Sequence, residues 1–246
     1  MSTTSLPQRY SWKLLYRVGG VSAILFVLSG LGALALYALD PPPISGGEAT
    51  LRFIAGNKTS YIAQQLLWLV PSLFGLIVFT ALLMALLPTN PSLTVLGFAV
   101  GAGSWTALLA VPVTSEGTLA LVYLSDQYAA AAEAARPGFA AAAEALVAEN
   151  NTVSLPGALT PLGILLISLP LIRGVLPHWV GWLGLATGAL GLVSEAMRFA
   201  TPALYAVYGP LLWVWFAVVG ISLLRIQSHS RPGAAPQPAS FIKATP

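Results

Sequence analysis

The chain has 246 residues, of which 57% are hydrophobic and 8% are charged, and its mean hydropathy is +0.80. A soluble domain carries about 25% charged residues, so this composition excludes an ordinary soluble protein. The absence of cysteine excludes disulfide bonds, thiolate metal ligands and cysteine nucleophiles. The net charge of +3 does not predict a nucleic-acid partner, because the charges of a membrane protein are interpreted by their position relative to the bilayer.

Six apolar runs have the length of about 20 residues that a helix needs to cross a bilayer. The first run ends at Asp40 and three prolines, which cannot continue a helix. It is too long for the apolar core of a signal peptide and no cleavage pattern follows it, so we expect it to be retained. The predicted spans are 18–39, 61–87, 93–112, 153–172, 179–197 and 204–224. The sequence therefore predicts an all-α, polytopic membrane helix bundle that occupies residues 18–225.

The charged residues separate between the two sides of this arrangement. If the N-terminus is cytoplasmic, the inner side carries seven basic residues and no acidic one: Arg9, Lys13, Arg17, Arg173, Arg225, Arg231 and Lys243. All eight acidic residues then lie on the outer side with the other four basic residues. Lys and Arg collect on the cytoplasmic side of membrane proteins, and an odd number of spans would destroy this separation. We therefore expect six spans in the plasma membrane with both termini cytoplasmic.

Three segments lie outside the predicted spans. Residues 1–17 form a cytoplasmic N-terminal segment, and residues 226–246, rich in Pro, Ala, Gly and Ser, form a cytoplasmic tail that is expected to be disordered. Residues 113–152 are rich in Ala and acidic side chains, with Ser115 typical of one helix start and Pro137 of another. This pattern predicts two extracytoplasmic helices that cover the outer end of the bundle. A partner-binding arm is the alternative.

Small residues within the spans predict where the helices pack, because glycine lets two backbones approach closely in lipid. Four glycines share one face of the fifth span: Gly181, Gly184, Gly188 and Gly191. Gly97, Gly101 and Ser104 share a face of the third span, and a face of the second carries Gln64, Trp68 and Gly75. We expect these three faces to meet one another.

Glu195 continues the glycine face near the outer end of the fifth span. An ionisable residue within a span is by default a hypothesis for function, whereas a helical ion pair with Arg198 is the structural alternative. The outer halves of neighbouring spans supply further polar and aromatic residues for an outward-facing crevice: Gln64, Gln65, Trp68, Ser104, Tyr205 and Tyr208. In such a crevice Glu195 would bind a cation or proton, or hold Arg198 for an anion.

No pattern in the sequence predicts catalysis. A nucleophile with a base, a cluster of metal ligands and a phosphate-binding loop are all missing, so we expect no catalytic residue, no metal and no cofactor. The leading prediction is a non-enzymatic accessory subunit or small-ligand sensor, with the lipid bilayer and another membrane protein or a second copy as partners. The alternative is a small secondary transporter or permease-like protein, although a transporter typically places its polar site near the midplane rather than toward one side.

The start of the fifth span reads Leu-Pro-His-Trp-Val-Gly-Trp-Leu-Gly from Leu176 to Gly184. It resembles a recurrent Leu-Pro-x-Trp-x-Gly-Trp-Leu-Gly stretch in a bacterial family of six-helix membrane proteins known only as a domain of unknown function. Residues 16–20 and the alanine-rich outer segment are similar to that family as well. The resemblance implies a bacterial multi-pass protein without an established activity, so no catalytic residue is carried over.

Overall fold

The fold is all-α apart from one short hairpin. The computed structural model of the protein describes residues 12–43, 45–110, 113–114, 117–152, 154–201 and 203–229. Within them the helices are α1 (Lys13–Leu39), α2 (Gly47–Leu86), α3 (Pro91–Ala110), α4 (Ala120–Ala130), α5 (Arg136–Asn150), α6 (Leu155–Leu171), α7 (His178–Ala196) and α8 (Leu204–His229). Strands β1 (Val113–Thr114) and β2 (Gly117–Thr118) pair antiparallel, and a 3-10 turn at Glu133–Ala135 precedes α5. The predicted all-α class is confirmed.

Six helices, α1, α2, α3, α6, α7 and α8, form a closed ring. Around this ring α1 packs against α2, α2 against α3, α3 against α6, α6 against α7, α7 against α8, and α8 against α1. Neighbours are antiparallel: Gly19 of α1 lies against Ala81 of α2, whereas Gly32 lies against Leu67. One end of the ring therefore holds the start of α1, the end of α8 and the α2–α3 and α6–α7 turns. We call this end the terminal end. We call the opposite end, which holds the hairpin, α4 and α5, the capped end.

Five helical stretches of the described chain are long and apolar enough to cross a membrane: Lys13–Leu39, Gly47–Leu86, Pro91–Ala110, Glu133–Leu171 and Leu204–Ile226. The fourth stretch contains α6. Helix α7 is not among them. Large apolar side chains such as Leu28, Leu96 and Val207 are exposed on the outer surface of the ring, as a lipid-facing surface requires. These features are those of a membrane protein.

Aromatic side chains fill the centre of the ring. Phe26 of α1 stacks on Phe216 of α8 with 3.8 Å between the ring centroids, and Trp105 of α3 meets Phe26 edge-on at 5.3 Å. Phe79 and Trp215 extend this cluster, with 6.3 Å between their ring centroids, and all five side chains are buried. Rings in offset and edge-to-face contact pack densely, so the centre of the bundle is a packed core.

A separate layer, which we call the cap, covers the capped end and consists of residues 47–60 of α2, the hairpin, α4 and α5. At 1.5 Å per residue α2 is about 60 Å long, roughly twice the thickness of the hydrocarbon core of a bilayer. Its first turns belong to the cap, and a break in the helix occurs at Asn57 (φ −126°, ψ 31°). The cap has its own apolar core, which includes Leu51, Ile54, Leu121 and Val147.

The helix bounds differ from the predicted spans where helices continue beyond the apolar run. Helix α2 begins at Gly47 rather than at 61, because the core of the cap stabilises a helix that the bilayer does not require. Helix α1 begins at Lys13 and α8 continues to His229. The predicted tail from residue 230 and the predicted helix start at Ser115 lie outside the described residues. The two helices predicted for the outer segment correspond to α4 and α5.

Candidate functional site

Glu195 lies near the end of α7 at the capped end, and only 2% of it is exposed. Its Oε1 accepts a hydrogen bond of 2.8 Å from the backbone N–H of Ser154, the residue that caps α6. The hydroxyl oxygen of Ser154 accepts in turn from the N–H of Gly157 at 3.0 Å. The first turn of a helix carries unpaired N–H groups and a partial positive charge, which a carboxylate stabilises. Glu195 therefore ties the end of α7 to the start of α6.

The second oxygen of Glu195 faces Arg198. Oε2 is buried and has no hydrogen-bond partner among the described residues, and Nε of Arg198 lies 3.7 Å from it. The guanidinium of Arg198 also donates to the carbonyl of Thr152 at 2.6 Å and lies 4.9 Å above the ring of Tyr205. The ion pair that the sequence offers as a structural alternative is thus present, and it continues into a contact with the chain that leads to α6.

Two tyrosines complete this cluster. Tyr205 and Tyr208 meet edge-on with 5.9 Å between their ring centroids. Tyr208 is buried and packs against Gly191, one turn before Glu195 on α7. The structure therefore brings together four of the predicted site residues at the junction of α6, α7 and α8: Glu195, Arg198, Tyr205 and Tyr208. Their role in binding a ligand remains a prediction.

Ser104 lies at a different helix junction. Its hydroxyl donates to the carbonyl of Pro156 at 2.9 Å and pairs with the hydroxyl of Thr160, so it joins α3 to the first turns of α6. Gly97 of α3 faces the backbone of α6 on the same interface, whereas Gly101 faces the ring of Phe79 on α2 and has Gly163 of α6 against its own backbone. These contacts occupy Ser104 with helix packing.

The remaining predicted site residues lie on α2. Gln65 lies beside Gly117 of β2, beneath the cap. Gln64 is buried, and none of the residues that the structure describes pairs with its Nε2. Trp68 stacks on Trp213 of α8 with 6.5 Å between the ring centroids. The described contacts thus place Gln65 beside the hairpin and Trp68 against α8.

The four glycines of α7 all lie at helix contacts. Gly181 and Gly188 lie against the backbone of α6, whereas Gly184 and Gly191 lie between α6 and α8. The expectation that this face meets the second and third spans is wrong, because α6 and α8 occupy it. The faces of α2 and α3 do meet each other, since Gly75 lies against Trp105.

A cavity of about 40 Å³ lies where the cap meets the ring. It is bounded by the end of α1, the prolines that follow, the first turn of α2, and residues of β2, α4 and the end of α5: Tyr37, Pro42, Pro43, Thr50, Tyr61, Gly117, Leu121, Val147, Asn150 and Asn151. Sequence reasoning singled out none of these residues. Their segments are distant in the chain and share no periodicity, so only the three-dimensional packing brings them together.

Within the cap, a charged cluster on the surface joins α4 to the first turns of α2. The hydroxyl of Tyr128 on α4 donates to Oε1 of Glu48 at 2.8 Å, and Arg52 pairs with the same carboxylate. The Tyr128 hydrogen bond and the Arg52 guanidinium hold the pKa of Glu48 below its ordinary value of 4.5. Lys58 adds an ion pair of 2.6 Å to Asp126 on α4.

Acid is expected to loosen α4 from α2. Because folding lowers the pKa of Glu48, the ionised carboxylate stabilises the folded state. This stabilisation is fully present at a pH above the ordinary pKa of 4.5 and is lost as the pH falls through the lowered pKa of the folded state. The protection factors of the amide hydrogens in α4, which are corrected for the slower intrinsic exchange in acid, should therefore fall between about pH 5 and pH 3, roughly the range over which carboxylates titrate. Tyr128→Phe should reduce this acid response, whereas Tyr123→Phe, at an exposed position of α4, should not. An equal response in both variants would contradict the assignment to Glu48.

A family model described as a domain of unknown function (DUF4386) matches residues 18–224, which is most of the chain. The chain belongs to this family, and the resemblance drawn from residues 176–184 is confirmed. Neither the curated proteins nor the solved structures gave a match. The family description assigns no activity, so a function has to be argued from the geometry.

Proposed function

We propose that the protein is a non-enzymatic small-ligand sensor of the bacterial plasma membrane, with six spans, both termini cytoplasmic and the cap outside. The observation that carries the proposal is the asymmetry of the fold. A cap with its own core covers one end of the ring and borders a small, half-open cavity there, while the centre is packed with aromatic side chains. A partner membrane protein or a second copy of the chain would respond to the occupied state.

The pairing of α7 with α6 supports six spans rather than five. Gly181 lies against Ile172 at one end of the pair, and Glu195 bonds to Ser154 at the other. The two helices are therefore antiparallel along their whole length, and a bilayer that is crossed by α6 is crossed by α7 as well. The glycines of α7 lie at helix contacts, where lipid does not reach them.

The charges at the two ends support the orientation. The described residues of the terminal end include four basic side chains and no acidic one: Lys13, Arg17, Arg173 and Arg225. The acidic side chains of the described chain lie at the capped end, for example Glu48, Asp126 and Glu144. By the positive-inside rule the terminal end faces the cytoplasm.

The packed centre favours binding over transport. A secondary transporter typically binds its substrate near the midplane, on helices that are broken there. In this ring the middle is occupied by the stacked pair Phe26 and Phe216 with Trp105 against them. The buried carboxylate of Glu195 accepts a hydrogen bond from Ser154 and pairs with Arg198, so we propose no reaction for it.

Single-cysteine labelling tests the proposal, and the natural chain provides a cysteine-free background. Ala141→Cys and Tyr123→Cys lie on exposed positions of the cap and should react with a membrane-impermeant maleimide in intact cells. Thr89→Cys and Val175→Cys, in the turns of the terminal end, should react only after permeabilisation. Ser125→Cys is the matched control on α4, because Ser125 is 2% exposed and should stay unlabelled. Labelling of the turns from outside would overturn the orientation and with it the sensor.

A further inference from the structure

Four exposed basic side chains surround the terminal end of the ring. Lys13 and Arg17 lie in the first turns of α1, Arg173 lies in the turn between α6 and α7, and Arg225 lies near the end of α8. We call these four side chains the basic rim. The positive-inside rule concerns the insertion of the chain, but the folded protein keeps these charges, and they attract anions after insertion as well.

The chain supplies no acidic side chain to balance the basic rim. The parts of the sequence that form the terminal end, or continue the chain from it, contain no Asp and no Glu: residues 1–20, 85–92, 170–180 and 225–246. Within the described chain, the three ion pairs between side chains all lie toward the capped end. An anion that pairs with the rim therefore comes from another molecule.

Exposed apolar side chains lie beside the cations of the rim. Leu14, which lies between Lys13 and Arg17, is 73% exposed. Val175, two residues after Arg173, is 60% exposed. These side chains continue the lipid-facing surface of the ring to its edge. A long basic side chain can lie along such a surface while its charged group reaches the headgroups.

Tryptophans mark the depth of the rim in the membrane. Trp12 precedes Lys13, and Trp179 and Trp182 lie in the first turns of α7, shortly after Arg173; between 46% and 59% of each tryptophan is exposed. Tryptophan concentrates where hydrocarbon meets the headgroups, because its ring is apolar and its N–H group can form a hydrogen bond with the headgroup region. The basic rim therefore lies at the level of the lipid phosphates.

We propose that the basic rim binds phospholipids of net negative charge, such as phosphatidylglycerol, in the leaflet at the terminal end. The guanidinium groups of Arg17 and Arg173 donate N–H groups in pairs to the phosphate oxygens, a geometry that a planar guanidinium favours. The acyl chains cover Leu14 and Val175. A soluble acidic partner would match the charge and leave these apolar side chains uncovered, so their position beside the cations favours a lipid.

Competition between two lipids tests the proposal on the full chain in a non-ionic detergent. Native mass spectrometry counts the molecules of phosphatidylglycerol and phosphatidylcholine that the protein retains from an equimolar mixture with identical acyl chains. Phosphatidylglycerol should be preferred by at least about fivefold, the ratio that corresponds to one basic side chain near an anionic lipid surface. Equal retention of the two lipids would overturn the proposal.

Matched variants assign the preference to the rim. The double variant Arg17→Gln, Arg173→Gln should lower the preference at least about fivefold, since two of the four cations are removed. Arg52→Gln removes an exposed guanidinium from the cap and should retain the preference of the natural chain. Where the double variant does not fold, the single replacement Arg173→Gln takes its place. Equal losses at the rim and at the cap would overturn the assignment.

Inorganic phosphate distinguishes a lipid from a dissolved anion at the same side chains. At the concentration of the lipid it should not displace phosphatidylglycerol, because the acyl chains add apolar burial that phosphate alone lacks. Phosphatidylglycerol should therefore remain bound when phosphate is added. Its displacement would mean that the rim takes phosphate without acyl chains, and this would overturn the lipid as the occupant.

The lipid test does not depend on the proposed function. Micelles leave both ends of the protein accessible, so the preference is the same whichever way the cap faces. A cytoplasmic cap in the labelling experiment would overturn the sensor and leave the lipid-binding rim intact. An outward cap without a lipid preference would keep the topology and overturn the rim alone.

Discussion

Replacement of Glu195 by Ala is expected to lower the free energy of unfolding by about 3 kcal/mol, since removing one partner of a buried ion pair leaves the other uncompensated. The variant leaves the N–H of Ser154 without its acceptor and Arg198 without its counter-charge. The start of α6 should then separate from the end of α7. Unfolding of the detergent-solubilised protein in a graded mixture with SDS measures the difference.

Two further variants give this experiment its controls. Glu195→Gln retains an acceptor for the N–H of Ser154 and removes the charge, so its loss should be smaller than that of the Ala variant. Glu149→Ala removes an exposed carboxylate from α5 and should change the free energy by no more than about 0.5 kcal/mol. Should Glu195→Ala prove as stable as Glu149→Ala, the tie between α6 and α7 would be refuted.

Replacement of Gly188 by Leu is expected to lower the free energy of unfolding by at least about 2 kcal/mol, because volume added to a well-packed core typically destabilises a protein by this order. A Cβ atom at this position would lie 2.7 Å from the backbone nitrogen of Leu165 and 2.7 Å from the carbonyl oxygen of Pro161. Backbone atoms cannot move aside as the end of a flexible side chain can, so α6 and α7 have to separate. The melting temperature in detergent should fall accordingly.

Gly103 provides the matched control within the ring. It also lies in a membrane helix, but a Cβ atom there meets nothing within 4 Å. Gly103→Leu should leave the melting temperature unchanged or raise it slightly, because glycine is a poor helix former and leucine a good one. If both variants lost the same stability, the loss at Gly188 could not be attributed to its contact with α6.

The general architecture could be predicted because the bilayer imposes it. A helix must satisfy its backbone hydrogen bonds and match the apolar thickness, so apolar length and charge position identify the long helices. The partners of those helices could not be predicted. The glycine face of α7 shows that a helix packs there, but α6 and α8 are distinguished from α2 and α3 only by the order of helices around the ring.

The cap shows the limit of local patterns most clearly. The first turns of α2 are helical because Leu51 and Ile54 pack against Leu121 and Val147, which lie far along the chain. No apolar run identifies such a helix. The same reason hides the cavity, since its lining residues come from distant parts of the chain.

The cluster at Glu195 could be predicted in part. Its pairing with Arg198 follows from a spacing of three residues on one helix, which is a local property. Its hydrogen bond with Ser154 could not be foreseen, because the donor is a backbone N–H and leaves no signature in the sequence. The predicted grouping with Gln64, Gln65 and Trp68 relied on equal depth in the membrane, which does not specify the direction in which a side chain points.

The contact between α1 and α8 has a consequence for biogenesis. Gly20 and Gly220 lie face to face there, so α1, which also packs against α2, gains its second neighbour only after α8 has been inserted. Until then the small-residue side of α1 is exposed to lipid. A nascent chain truncated before α8 would be an incomplete arc with two unpaired edges, and cellular quality control would recognise it as such.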